Sequence, residues 1–478
     1  MRKIAYQLLI VAVAVLAFAS CDDTLSEINE NPNATENPQP AYLLSAAEYH
    51  SAKLYMGDVM NYNSTLLWVQ HWAKVQYTEP DCYNVDNGTF SDVWNEAYAT
   101  IIADLNTIVS SELSNDNERA VATIWRSWTF LQLTNLYGDI PYSQYAKSVT
   151  PAYDTQEEVL RGLLSELDEA AKALTVSNGT VSGDLIYGGD LTSWRRFAQS
   201  LRLRIALEIA DCDATTARTV IASLFADRDN LINSNDANAQ FVFTNSPQWN
   251  PWANAFSTRD DQRMSKTLID KLKELSDPRL PVYAQLPDDK TVTTYEGGGN
   301  GLSADQANSQ GFSKLSKPGK YFLADEAPAV FFTYAEVNFI FAEAAARGLT
   351  SADAKAFYDA GVKASLEQFG VGADADSYLS QTKVAFDSSR WAELIGWQKW
   401  ICLYGQAPDA FTDWRRLGYP KLVAGPSSIL DGGQLPHRFF YPVTEQSLNG
   451  ENYRAAVARQ GADEITTRLW FDVEEKNR

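Results

Sequence analysis

Apolar residues recur three and four positions apart over most of this chain, and that spacing limits its fold more than any other feature. Trp94, Tyr98, Ile101, Leu105 and Ile108 form one such series, and Leu160, Leu163, Leu167, Ala170 and Leu174 another. Each series lines one face of a helix. Further helices are expected at about 119–137, 191–211, 335–347, 352–369 and 390–404. Thr155 and Glu158 have capping-box spacing ahead of the second series. Gly138, Gly348 and Gly405 stand where helices should end. The helices come in neighbouring pairs: 94–109 with 119–137, 156–174 with 191–211, and 335–347 with 352–369. Small residues follow a large one in Phe339-x2-Ala342-x2-Ala345. A helix pair buries only one face by itself, so pairs in series predict an all-α, tetratricopeptide-like helical-repeat scaffold. An irregular all-α domain is the other architecture the pattern allows.

Three stretches break the periodicity. Residues 72–90, 241–330 and 405–453 are rich in Asn, Pro, Gly and aromatic residues, as in Asn245-Ser246-Pro247-Gln248-Trp249-Asn250-Pro251-Trp252. The run Gly297-Gly298-Gly299-Asn300-Gly301 reads as a flexible loop, since no Lys-Ser/Thr follows to make it a phosphate cradle. Long loops on a rigid helical frame are where binding usually sits.

The first residues read as a processing signal. Arg2 and Lys3 precede an uncharged apolar run from Leu8 to Ala19, shorter than the ~20 residues a membrane-spanning helix needs. Ala19 and Ser20 then precede Cys21, a pattern that resembles a bacterial lipoprotein box, with Phe18 a loose fit. Residues 1–20 are expected to be removed, leaving Cys21 acylated, and 21–40 to form an extended tether. Asp22 and Asp23 resemble the surface-export signal of Bacteroidetes lipoproteins. Three cysteines follow: Cys212 and Cys402 on helical patterns, read as buried small hydrophobes, and Cys82 in a polar aromatic loop.

Forty basic residues against 61 acidic ones give a net charge of −21, which excludes an electrostatic footprint for nucleic acid. Only His50, His71 and His437 are present, with no metal-ligand spacing. No G-x-S-x-G, H-E-x-x-H or Walker loop occurs. No cofactor or metal is expected, and no catalytic residue stands out. Paired acids such as Glu157-Glu158 and Asp260-Asp261 read as a helix cap and a solvated loop.

Aromatic residues sort by context. Trp94, Trp125, Trp128, Trp194, Trp391 and Trp400 lie on helical spacing and read as core. Trp72, Tyr77, Tyr83, Trp249 and Trp252 lie in polar or Pro/Asn-rich segments. An exposed aromatic face suits the C–H face of a sugar, whose hydroxyls need amides or arginine nearby. Asn250, Asn254 and Arg259 are placed to supply those hydrogen bonds. The competing reading, that these rings pin the loops down, stands level with it.

Many segments together resemble the SusD/RagB family, and its SusD-like branch in particular. They are Cys21-Asp22-Asp23 with Asn31-Pro32-Asn33; Trp94-x3-Tyr98; Leu136-Tyr137-Gly138-Asp139-Ile140-Pro141-Tyr142; Trp194-Arg195-Arg196-Phe197; Tyr334-Ala335-Glu336; Asp413-Trp414-Arg415-Arg416-Leu417-Gly418; and Arg438-x2-Tyr441-Pro442. The resemblance implies a single domain over 41–478 built on four helix pairs. It implies an outer-membrane lipoprotein at the cell surface that binds oligosaccharide and is not an enzyme. It implies a SusC-like TonB-dependent transporter as partner. The motifs around Asp413 and Arg438 are expected to be structural. A surface glycoside hydrolase, a peptide binder and an adhesion protein remain the other readings.

Overall fold

The computed structural model describes residues 38–474, so Cys21, the signal and the expected tether up to residue 37 lie outside the described residues, and Pro40 already opens a helix. From Pro40 onward the chain is helical, as the periodicity predicts. α1 (Pro40–Tyr55) comes first. A continuous rod then runs through Ser91–Asn95, a π-helical stretch Glu96–Ile102 and α2 (Ala103–Ser110), against which α3 (Asp116–Tyr137) packs. α4 (Gln156–Ala173) and α5 (Leu191–Glu208) form the second pair, with α6 (Ala214–Ala226) on α5. After the short α7 (Pro251–Thr258) come a third pair, α8 (Tyr334–Ala346) and α9 (Ala354–Gln368), and a fourth, α10 (Trp391–Cys402) and α11 (Ala407–Leu417).

Local chemistry sets the helix starts. Asn115 with Glu118 and Thr155 with Glu158 close full capping boxes on α3 and α4. Asp190 accepts from the Thr192 and Ser193 amides at the start of α5. Gly138 caps α3 at its end. Gly361 has a packing reason: a Cβ there would come within 3.0 Å of the Phe339 ring, so the missing side chain is what lets α9 lie against α8.

Two of the expected loops contain more structure than their composition suggested. The 405–453 stretch includes α11, and 241–330 includes α7 and a helix at Lys266–Glu274. Proline and asparagine mislead here because Asn250 and Pro251 open a helix instead of breaking one. Among the described residues, four short strands form two antiparallel pairs. β1 (Trp72–Lys74) pairs with β3 (Gln262–Met264), Trp72 opposite Met264; β2 (Ala239–Phe241) pairs with β4 (Ala329–Phe332).

Trp94, Trp125, Trp128, Trp194 and Trp400 are buried, while Trp391 is half-exposed at the start of α10. Cys402 is buried as expected, Cys212 is half-buried, and Cys82 is buried with its thiol donating to the Leu302 carbonyl.

The core also contains charge. Arg204 on α5 donates to both oxygens of Glu336 on α8, at 2.8 and 2.7 Å, and to Asp409 on α11 at 3.1 Å. Asp409 also accepts from Tyr55 of α1 and Gln132 of α3. One guanidinium and its partners thus join five helices. Beside it, Arg416 clasps Glu343 and Asp413, and Lys399 meets Asp413 at 2.7 Å.

Another buried carboxylate has an uncommon setting. Glu48 of α1 accepts from the Leu185 amide at 2.6 Å and faces Asp184, which itself accepts from Ile186, Tyr187 and Gly189 amides and the Trp194 indole. Burial, and then the Asp184 charge, push the Glu48 carboxyl well above the usual range. A carboxyl raised by folding binds its proton more tightly in the folded state, so it costs stability as pH climbs above 4.5. Glu48→Gln, which keeps an acceptor for Leu185, is therefore expected to melt higher than the parent at neutral and alkaline pH. The gap should close on acidification towards 4.5; a melting-temperature series across pH checks it.

Candidate functional site

The three loop-rich stretches converge on one surface beside the β1–β3 pair. Asp81 ties the first two together. It accepts from the Lys74 amide and from Asn300 Nδ2, each at 3.0 Å, and Asn300 Nδ2 also donates to the Trp72 carbonyl at 2.7 Å. Burial pushes the Asp81 carboxyl up to about 7, against these hydrogen bonds. The third stretch joins through Ser427 N to Gly301 O at 2.8 Å, Ile429 N to Cys82 O at 3.1 Å, and Gln70 Nε2 to Val423 O at 2.7 Å. The glycine run is not a free loop. Gly298 exchanges backbone bonds with Met264 and Lys266, and Gly301 sits at φ +58° with Gly425 Cα 2.8 Å from where a Cβ would stand. Its glycines allow close backbone approach.

The structure divides the candidate aromatic residues. Trp72 and Trp252 are 0 % exposed, their ring centroids 4.3 Å apart. Trp72 Nε1 donates to the Tyr404 hydroxyl at 2.9 Å and Trp252 Nε1 to Asn61 at 3.2 Å. Tyr83 is also buried. Asn250 is buried too: its side chain accepts from the Trp252 amide at 2.7 Å and donates to the Ala327 carbonyl at 2.9 Å. These four residues pin the loops and face no solvent, so their expected role as ligand contacts is corrected to a structural one. Composition misled because rings in a Pro/Asn-rich segment bury as readily as rings on a helix, provided their N–H groups find acceptors.

Tyr77, Arg259, Asn254 and Trp249 behave differently. Tyr77 is 61 % exposed and holds φ +51°, the left-handed region that a bulky residue seldom occupies. Arg259 lies over its ring, guanidinium carbon 4.3 Å from the centroid, and meets Asp261 at 3.1 Å. Such a pair is worth ~0.5–1 kcal/mol at an exposed site. It presents a flat, charged-edged face to solvent. Asn254 is exposed on α7, which Arg259 follows as its C-cap, and Trp249 is half-exposed just before it. The burial of Trp252 and Asn250 is what holds α7, and so Arg259, in place.

Spacing could not have revealed the polar floor nearby, because its residues come from separate segments. Lys74 Nζ donates to Asn63 Oδ1 at 3.1 Å, and Gln262 Nε2 to the same oxygen at 3.2 Å. Asn63 in turn donates to Asp58. Burial lowers the Lys74 ammonium, and Asp261, Asp58 and Asp81 hold it up. Donors, acceptors and an exposed ring within one neighbourhood are what a polyhydroxylated ligand requires. Among the described residues no group of three or more His, Cys, Asp and Glu could hold a metal ion, and no helix is long and apolar enough to cross a membrane.

Comparison with known proteins places this architecture. Residues 32–442 match the SusD-like family described as starch-binding and associating with the outer membrane. A chitin-binding protein superposes with a TM-score of 0.82 at 29 % identity, over 91 % of this chain and 100 % of the other. A SusD homolog from Bacteroides uniformis gives 0.81 at 26 %, over 91 % and 100 %. A chitin-binding SusD homolog from Flavobacterium johnsoniae gives 0.79 at 25 %, over 92 % and 98 %. In sequence, SusD-like protein P2 of Formosa agariphila is 34 % identical over 100 residues, 19 % of this chain, and the match spans only 20 % of that relative's length. With the family's pattern matched from the tether to the last loop and the fold matched over nine-tenths of its length, this chain belongs to the SusD-like family.

Proposed function

We propose that this protein captures oligosaccharide at the outer surface of the cell and passes it, uncut, to a SusC-like TonB-dependent transporter in the outer membrane. The observation that carries the reading is the Tyr77–Arg259 face: an exposed ring in a strained backbone conformation, beside amides and carboxylates, in a family described as starch-binding. An aromatic face and hydrogen-bonding side chains hold a sugar without any catalytic group. Chitin-binding relatives of the same fold support a glycan as ligand. The outer-membrane association of the family supports the location, and the Cys21 signal supplies the anchor.

The test is calorimetry of residues 22–478 against starch- and chitin-derived oligosaccharides, with product analysis on the same samples. Binding with intact sugar is expected. Cleaved product would replace capture with hydrolysis, and an absence of heat with every sugar would overturn the glycan reading. In cells, Cys21→Ala is expected to move the protein from the membrane to the soluble fraction; a mutant that stays with membranes removes the lipid anchor from the proposal.

A further inference from the structure

A second cleft, of about 480 Å³, lies between the end of α1 and the rod that starts at Ser91. Its walls include two π-helical stretches, Asp58–Tyr62 and Glu96–Ile102. This backbone form is rare and recurs at functional sites. The floor is apolar, made by Leu54, Val59, Met60 and Val93. The rim carries Asp58, Asp92 and Glu96 against Lys53 and His50, with His50 paired to Glu96 at 2.5 Å. None of the lining residues is Phe, Tyr or Trp, so nothing here stacks a sugar.

Beneath the floor the packing is incomplete. Leu54, Met60 and Val93 also wall an inner apolar void of about 10 Å³, room for about one water-sized sphere. Trp128 closes that void, and its indole Nε1 has no hydrogen-bond partner among the described residues. Protein interiors are normally close-packed, and buried indole N–H groups normally find an acceptor. An open cleft with an apolar floor and an acidic rim fits an apolar side chain that lies beside a cation.

We propose that this cleft is a docking site for a protein segment presenting an apolar side chain next to a lysine or arginine. The apolar group covers Leu54, Val59 and Met60, and the cation meets Asp92 on the rim. Charge complementarity selects this occupant over an acidic segment, and the absence of an aromatic ring from the lining disfavours a sugar.

The probe is a short fluorescent amphipathic peptide of leucine and lysine, with a leucine–glutamate peptide as control, titrated by anisotropy into residues 22–478. Ala99 lines the cleft and is exposed on the rod, so Ala99→Trp fills the space without entering the core. The lysine peptide is expected to bind saturably and the glutamate peptide not at all. Ala99→Trp should weaken the former at least tenfold while leaving oligosaccharide affinity unchanged. Equal binding of the lysine peptide by Ala99→Trp would overturn the proposal, since attraction to the acidic surface in general would then explain it. A parallel loss of oligosaccharide affinity would also overturn it, by making the cleft part of the glycan site. Thr100→Arg, on the same wall, adds positive charge to the rim and is expected to act in the same direction; unchanged binding there counts against the proposal too.

Discussion

Arg204→Met is expected to cost about 3–5 kcal/mol of folding stability, the range for breaking a buried ion pair from one side. The change removes the only cation that meets both Glu336 and Asp409 among the described residues, and leaves two carboxylates enclosed by five helices. Burial already raises the Glu336 carboxyl, and Arg204 is the largest influence opposing that. Without the guanidinium the Glu336 carboxyl should prefer its protonated form in the folded state. A carboxyl raised by folding loses stability as pH rises, so the variant should recover part of its stability on acidification. Urea unfolding at several pH values reads both effects. A whole domain of ordinary stability holds about 5–15 kcal/mol, so this loss removes roughly a fifth or more of it. A variant that unfolds at the parent's midpoint would show that the network carries no net stability.

The second large effect separates the two classes of aromatic residue. Tyr77→Gly removes the exposed ring from a position glycine adopts freely, so folding stability should stay level or rise by about 1 kcal/mol. Oligosaccharide affinity should fall about tenfold or more, since one aromatic face contributes roughly 1–2 kcal/mol and 1.4 kcal/mol is tenfold. Trp252→Ala should do the reverse. It opens a hole against Trp72 and strips Asn61 of a donor, at about 3–5 kcal/mol of stability. Calorimetry and thermal melts on both variants decide it. Tyr77→Gly binding sugar like the parent would remove the platform, and Trp252→Ala melting like the parent would contradict its place in the core.

The helical frame was legible because it obeys local rules. The capping pair Thr155 and Glu158, the helix-spaced Trp125 and Trp194, and the neighbouring pairs all appear in the structure where the period placed them. The site was legible only in outline. Its three loop stretches were marked by composition, yet of Trp72, Tyr77, Tyr83, Trp249, Asn250, Trp252 and Arg259, four turned inward. Nothing in the run from Asn245 to Trp252 says that Trp249 meets solvent while Trp252, three residues on, packs on Trp72.

Period, capping and charge are properties of neighbours in the chain, and they alone determined an acidic, all-α protein of paired helices with loops between them. Burial is a property of neighbours in space. Only tertiary packing could decide that Trp252 turns onto Trp72 and so carries Arg259 to Tyr77, that Gln262 and Lys74 meet on Asn63 beneath them, and that Arg204 finds Glu336 across the core. Contacts between residues more than a hundred positions apart, such as Tyr77 with Arg259, Asn63 with Gln262 and Trp72 with Trp252, leave no trace in any short window of sequence, and they bring the separate segments of this site together.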